Sequence, residues 1–330
     1  MVFTDNQLHY IAMALQRRQP LLQQDCRHRG AWRMFNGFTE GIPELTIDIL
    51  AQTAVINDYS PEGFHWQQLT EMLSSQLSFL QCVLLKRRHS EDPAERNGQI
   101  ISGQKAADQI EENQVRYAVD PVMNHDNSFY SDTRYLRKYL LENMRGKSVL
   151  NTFAYTGSLG VAAAAGGAER VLQTDLSGKF LQTAYRSASL NGLSFTRKNF
   201  RYGDFFPVVS ALRREGEKFD CVVVDPPFFS RTAKGVIDLA NNPLGVVNKV
   251  RPLVADNGVL IVVNNSLYLS GEDFRTQINS ICDGYYLSWE QAIPIPDDFC
   301  YCAENASRPY PADPSPFNHP TKIVVLRVHC

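Results

Sequence analysis

Short apolar runs alternate with longer amphipathic stretches through the last two thirds of the chain. Strands are expected at 149–151, 171–174, 196–202, 221–224, 259–263, 285–291 and 322–328, where Val- and Ile-rich runs stand between turn residues. Helices are expected between them at 158–165, 179–191, 206–215, 236–253 and 272–282. Strand–helix alternation of this kind specifies a parallel sheet covered on both faces. No good helix separates the last two strands. The proline-rich stretch 294–320 lies there instead, and it permits a final antiparallel insertion.

The first 108 residues have a different texture. An amphipathic start at 6–18 leads into basic segments with Arg17, Arg18, Arg27, Arg29 and Arg33. A turn-rich piece at 35–48 runs into a strand, followed by a strand at 54–58, a helix at 63–77 and a strand at 82–86. That is a small α+β module. It ends in Lys86, Arg87, Arg88 and His89 and a charged loop through Gly98. The arginines read either as a solvated surface or as a phosphate-contacting face. Residues 109–120 read as a hairpin arm turning at Glu112, Asn113 and Gln114. The expected organisation is therefore a substrate-binding module at 1–108 and a larger domain at 109–330.

Composition narrows the class. A chain of 330 residues, 44% hydrophobic and 21% charged, can bury two cores. A formal charge of −2 excludes a strongly basic histone-like binder but leaves room for a local basic face. The N-terminus lacks a signal peptide's basic and apolar regions. No apolar run approaches the roughly 20 residues of a membrane span. Seven scattered cysteines fit a reduced, cytoplasmic compartment. Cys300 and Cys302 are the one close pair, and nothing nearby completes a zinc set, so no metal is expected.

The chemistry gathers at 148–175, a strand–turn–helix–strand unit whose second strand ends on Asp175. Such a unit places backbone N–H groups and a helix N-terminus beside a ribose-binding acid. Four strand ends are expected to point the same way: the turn 151–157, Asp175, Gly203-Asp204-Phe205, and 225–230. At the third, an acid accepts from an adenine amino group and an aromatic covers the base. A nicotinamide dehydrogenase needs several glycines for close approach to a pyrophosphate, and this turn has only Gly157 early. The pattern suits a nucleoside without phosphate whose other end is an amino acid, which is S-adenosylmethionine. Asp132 and Arg134, at the start of a helix, read either as a capping Asp with an exposed Arg or as holding that charged end.

Asp225, Pro226, Pro227 and Phe228 close a buried apolar strand. Prolines there lack N–H groups and leave carbonyls to accept from a substrate amine. An aromatic beside them can stack on a flipped base.

On these residues, 109–330 resembles the class I S-adenosylmethionine-dependent methyltransferases. More narrowly, it resembles the bacterial 23S ribosomal RNA enzymes of the cytosine-C5 / guanine-N7 branch. The segments that carry the resemblance are 127–134, 149–158, 174–177, 190–193, 203–205 and 225–230. Gly41 to Asp48 resembles part of the small α+β domain found in that family, whose N-terminal RNA-binding barrel has no counterpart here. The resemblance implies an α/β, Rossmann-like, seven-stranded sheet with a smaller N-terminal α+β domain. It places Asp132 and Arg134 at the methionine end of the cofactor and Asn151, Phe153, Tyr155, Thr156 and Gly157 along it. Asp175 and Leu176 fall at the ribose, and Asp204 and Phe205 at the adenine. Asp225 to Phe228 would form the catalytic pocket, and Phe229 is expected on the substrate. Asn264 and Asn265 read either as hydrogen-bonding a base edge of the substrate or as capping the loop.

Cytosine-C5 methylation requires a thiolate to add to the ring. Enzymes of that branch place the cysteine just after the fifth strand, where this chain has Asn264, Asn265 and Ser266. Phe228 follows Pro227 at their other cysteine position, and Cys221 reads as core. A base nitrogen with its own lone pair needs only orientation and an in-line methyl. The expected function is transfer of a methyl group to a base nitrogen of ribosomal RNA, leaving S-adenosylhomocysteine, in a protein that binds RNA, takes part in rRNA processing and can form a homodimer. Two rivals stay open. One is a methyltransferase acting on a protein side chain or small molecule, and the other is a cofactor-binding scaffold without catalysis. The stretch 294–320 reads equally as a lid or as ordered packing.

Overall fold

Every residue of the strand Thr53–Asp58 is buried, and it is the middle strand of a five-stranded sheet. The computed structural model describes residues 2–282, 284–302 and 310–329. Its first sheet has the order β1 (Ala31–Asn36), β2 (Leu45–Leu50), β3 (Thr53–Asp58), β4 (Cys82–Arg87), β5 (Gln99–Gly103). Only β3 and β4 run parallel. Parallel neighbours need a crossover, which the helix Trp66–Gln76 supplies, burying Leu69 and Leu73. The helix Asp5–Arg17, opened by a capping box at Thr4, buries Ile11, Ala14 and Leu15 in the same core as Ile47, Ile56 and Val83.

A hairpin of β6 (Gln109–Glu112) and β7 (Val115–Ala118) turns at Asn113 and Gln114, both with positive φ. It belongs to this smaller unit, which runs to Asp132 and includes, of the segment beginning at Pro296, the described residues 296–302. The boundary expected at 108 is therefore moved. Glu111 N–H donates to the Arg29 carbonyl at 2.7 Å, and Ala107 N–H to Thr53 Oγ1 at 2.8 Å. At the returning segment, buried Arg18 donates to Glu40 at 2.9 Å and to the Asp298 carbonyl at 2.6 Å. Arg33 N–H donates to Asp298 Oδ2 at 2.8 Å.

The larger unit holds β8 (Ser148–Thr152), β9 (Arg170–Asp175), β10 (Phe200–Tyr202), β11 (Phe219–Val224), β12 (Phe229–Thr232), β13 (Gly235–Asp238), β14 (Val254–Asn264), β15 (Leu287–Ile293) and β16 (Lys322–Val328). Seven of them form one sheet, β10-β9-β8-β11-β14-β16-β15. The first five are parallel, and β16 inserts antiparallel between β14 and β15. This is the expected α/β sheet with its late antiparallel strand. The helix Ser158–Ala165 is apolar almost all round and buries Leu159 to Ala163, as a helix enclosed by a core does. Among the described residues no helix is long and apolar enough to cross a membrane.

Three expected elements are corrected. The helix at 236–253 is instead the hairpin β12–β13, a short helix Val247–Val250 and a 3-10 turn Arg251–Leu253. Val236 and Ile237 favour a strand, and Pro243 and Gly245 interrupt helical spacing. The strand expected from 196 begins only at Phe200, because Thr196 caps a 3-10 turn over Arg197–Asn199. Strand β8 runs through Thr152, so Asn151 lies inside it and not in the turn. Of the stretch 294–320 read as a lid or packing, 303–309 lie outside the described residues.

Candidate cofactor and substrate site

Sheet register gathers the site of the larger unit. Thr152 pairs with Thr174 on one side and Val224 on the other, Val224 pairs with Val262, and Asp175 pairs with Tyr202. The segments that follow β8, β9, β10, β11 and β14 therefore leave one edge of the sheet together, where open α/β sheets hold ligands.

The first of these is a turn in which Phe153, Tyr155 and Gly157 have φ of 55, 50 and 79°. Left-handed non-glycine residues cost on the order of 1–3 kcal/mol each and cluster at ligand sites. Asp175 holds this turn. Its Oδ2 accepts from Tyr155 N–H and its Oδ1 from Ser177 N–H, both at 2.8 Å. Burial pushes the Asp175 carboxyl above the usual carboxylate range, while N–H donors from Ser177, Tyr155 and Leu176 pull it back. A carboxylate offers about four lone-pair sites, so beside these three donors it can still accept from a hydroxyl. Gly157 leaves no room for a side chain. A Cβ there would lie 2.3 Å from Ala184 Cβ and 2.8 Å from Gln173 Oε1.

Asn151 has no exposed surface, and its amide donates to Gln173 Oε1 at 3.2 Å on the adjacent strand. Its Oδ1 is buried without a hydrogen-bond partner among the described residues. Thr156 is buried, Tyr155 lays its ring edge-on to Phe180 at 4.6 Å, and Leu176 is exposed. Asp204 caps the helix Phe205–Arg214 by accepting from Phe206 N–H at 3.0 Å. Phe205 is buried, stacked on Phe153 at 4.5 Å. The aromatic expected over the adenine is thus packed against the turn residue Phe153.

After β11, Asp225 is half-buried, Pro226 buried, and Pro227, Phe228 and Phe229 exposed. Asn265 Nδ2 donates to the Pro226 carbonyl at 3.4 Å, so that carbonyl, expected to meet a substrate amine, already has a donor. Asn265 Oδ1 is buried without a hydrogen-bond partner among the described residues. Asn264 is buried, donating to the Leu239 carbonyl at 3.3 Å and accepting from Ser266 N–H at 2.9 Å. The expected Asn-Asn pair therefore divides, with Asn264 bracing the loop and Asn265 offering an acceptor.

Two contributors escaped the sequence reading. Tyr268, exposed, lies 6.1 Å from Phe228 and extends the aromatic patch. Lys322, buried at the start of β16, donates to the carbonyls of Ser266 at 3.0 Å and Pro320 at 2.7 Å. Burial brings its pKa down to about 8. A lysine opening an apolar final strand is the signal that could have found it.

Asp132 lies in the 3-10 turn Ser131–Thr133 and closes the smaller unit, while Arg134 opens the helix Arg134–Asn143 of the larger. Both are half-buried. The features that fit a nucleoside are the glycine-tight turn, the Asp175 lone pairs and the single capping bond of Asp204. Segments 153–157, 175–177, 203–205 and 225–230 carry no lysine or arginine that would mark a phosphate.

The sequence matches the family model described as S-adenosylmethionine-dependent methyltransferase over residues 64–283. Ribosomal RNA large subunit methyltransferase I of Shewanella denitrificans is 34% identical over 231 residues, 67% of this chain and 57% of its own length. The enzyme of that name from Aeromonas salmonicida is 32% identical over 78% of this chain and 66% of its own length. The chain thus spans less than two thirds of the length of these relatives. A protein crystallised in complex with SAH shares the fold, with a TM-score of 0.80 at 22% identity over 97% of this chain and 81% of its own. The family model covers well over half of the sequence, and the chain belongs to the S-adenosylmethionine-dependent methyltransferase family.

Proposed function

We propose that the chain methylates a base nitrogen of ribosomal RNA, in the cytoplasm, without a cysteine nucleophile. S-adenosylmethionine would supply an electrophilic sulfonium methyl. Asp175 accepts from the ribose hydroxyls, Asp204 from the adenine amino group, and Asp132 and Arg134 hold the amino-acid end. Asp225 and Asn265 Oδ1 accept from N–H groups on the base edge, directing a nitrogen lone pair toward the methyl. Phe228 and Tyr268 cover the ring, and Phe229 extends that surface.

The observation that carries the nitrogen assignment is the end of β14, where Asn264 and Asn265 stand. Cys221 is wholly buried three residues inside β11, with its thiol pushed up to about 12 by burial. A buried neutral thiol cannot open an addition to a pyrimidine. Within the branch the sequence resembles, this favours the guanine-N7 side over cytosine-C5. The relatives' names support RNA as substrate.

The test is transfer of labelled methyl from S-adenosylmethionine into total RNA and total protein of a strain lacking this chain. Label in one ribosomal RNA fragment is expected. Label only in protein, or none, overturns the proposal. Asp225→Ala should keep cofactor affinity and lose about 10²–10³-fold in turnover, as loss of one positioned hydrogen bond does; unchanged turnover would remove Asp225 from the reaction.

A further inference from the structure

The smaller unit contains a cavity of about 210 Å³ with Arg33, Asp48, Tyr59, Arg88, Asn127, Tyr130 and Asp132 among its lining residues, so it adjoins the carboxylate proposed above for the amino-acid end of the cofactor. Drug-sized ligands occupy about 300–1,000 Å³, so this space suits a single heterocycle. Its polar groups are held in place from behind. Arg33 Nε donates to Asp48 Oδ1 at 2.6 Å, and Asn127 Nδ2 donates to Asp48 Oδ2 at 2.8 Å. Because Asp48 takes the amide N–H, the other end of the Asn127 carboxamide is turned away from it. That oxygen is buried and has no hydrogen-bond partner among the described residues.

The segment carrying Asn127 is clamped as well. The buried Lys86 donates to the carbonyls of Asn124 at 2.9 Å and Asp126 at 2.5 Å. Arg88 donates to the His125 carbonyl, pairs with Asp126 at 3.7 Å and lies over the Tyr59 ring at 5.4 Å. Tyr130, 45% exposed, anchors its hydroxyl on Asp126 Oδ2 at 3.0 Å. The lining has two arginines against three aspartates, so no surplus positive charge awaits a phosphate. An oriented acceptor, an exposed ring and no surplus positive charge describe a reader of a neutral planar ring with N–H groups on its edge.

We infer that this pocket holds one unstacked base of RNA, an inference that rests on the RNA reading above. The smaller unit then reads a base, beyond touching backbone phosphates through its arginines. Tyr130 supplies the stacking face, and Asn127 Oδ1 accepts from the base edge.

The test uses the full chain and the RNA fragment that the wild type labels, with Tyr130→Ala, Tyr130→Phe and Asn127→Ala. RNA affinity is measured from low to high salt, and S-adenosylmethionine affinity by calorimetry. Tyr130→Ala should weaken RNA binding about 5- to 150-fold, the span of one base–aromatic stack, and Tyr130→Phe should stay near wild type. The salt slope should not change, because no phosphate contact is lost. Tyr130 is exposed, so its variants keep the fold even if Asn127→Ala does not. Wild-type RNA affinity in Tyr130→Ala, a shallower salt slope, or lost cofactor affinity would each overturn the inference. A wild type that labels no RNA would overturn the functional reading, and this inference with it.

Discussion

Asp175 and Asp48 are both carboxylates on strands, yet they are held by opposite means. Asp175 accepts only backbone N–H groups, and burial raises its pKa. Asp48 faces the Arg33 guanidinium and the Asn127 amide. A carboxylate held by backbone donors keeps lone pairs for a neutral hydroxyl ligand and carries no fixed counter-charge. One paired with a guanidinium is neutralised and serves to orient its neighbours. On the proposed reading the larger unit binds directly with its acid, whereas the smaller unit uses its acid to hold an arginine and an amide.

The sharpest break in that comparison is neutralisation of each acid. Asp48→Asn leaves Arg33 without its buried partner and should cost the smaller unit about 3–5 kcal/mol, read by denaturant unfolding. Gly157→Ala should come next. Its Cβ would overlap Ala184 in a left-handed backbone, costing about 2–4 kcal/mol of stability, read as a lower midpoint together with lost cofactor affinity. Asp175→Asn should change stability less and cofactor affinity more, by roughly 10–100-fold, since charged hydrogen bonds are worth about 1.5–3 kcal/mol. Because its pKa is raised, wild-type cofactor affinity should begin to fall at a higher pH than an ordinary carboxylate would set. Equal effects of the two Asn variants on folding and binding would erase the distinction.

The effect that needs a pH series to be seen concerns Lys86, whose pKa burial lowers from 10.5 to about 7. Between those values the unfolded chain binds more protons, so stability should rise with pH from about 7 toward 10. The slope is at most about 1.4 kcal/mol per pH unit for one group. Lys322, brought to about 8, adds a slope of the same sign. Lys86→Met should flatten the rise in melting temperature, and an unchanged slope would show that Lys86 is not the titrating group.

The strand–helix alternation was legible because each apolar run was bounded by turn residues, and Ser158–Ala165 was read to its limits. The turn at 153–157 and Asp175 were legible because Gly157 and one carboxylate stand at strand ends. Burial of Asn151 and Asn264 was not, since a strand's last residue differs from a turn's first only through its neighbours' register. The hairpin at 229–238 was hidden because Val236 and Ile237 join the apolar positions that follow through Leu253. The tie of 296–302 to Arg18 and Arg33 joins segments more than 260 residues apart, which no local pattern encodes. The pocket around Asn127 escaped for that reason too, its walls coming from several separate strands and loops.

The most direct measurement is the identity of the methylated nucleoside after the labelled RNA is digested and separated by mass. A base-nitrogen product, with N7-methylguanine the foremost candidate, is predicted from Asn264 and Asn265 at the end of β14 and the buried thiol of Cys221. A 5-methylcytosine product would contradict the account, because it requires a thiolate that the described site does not present.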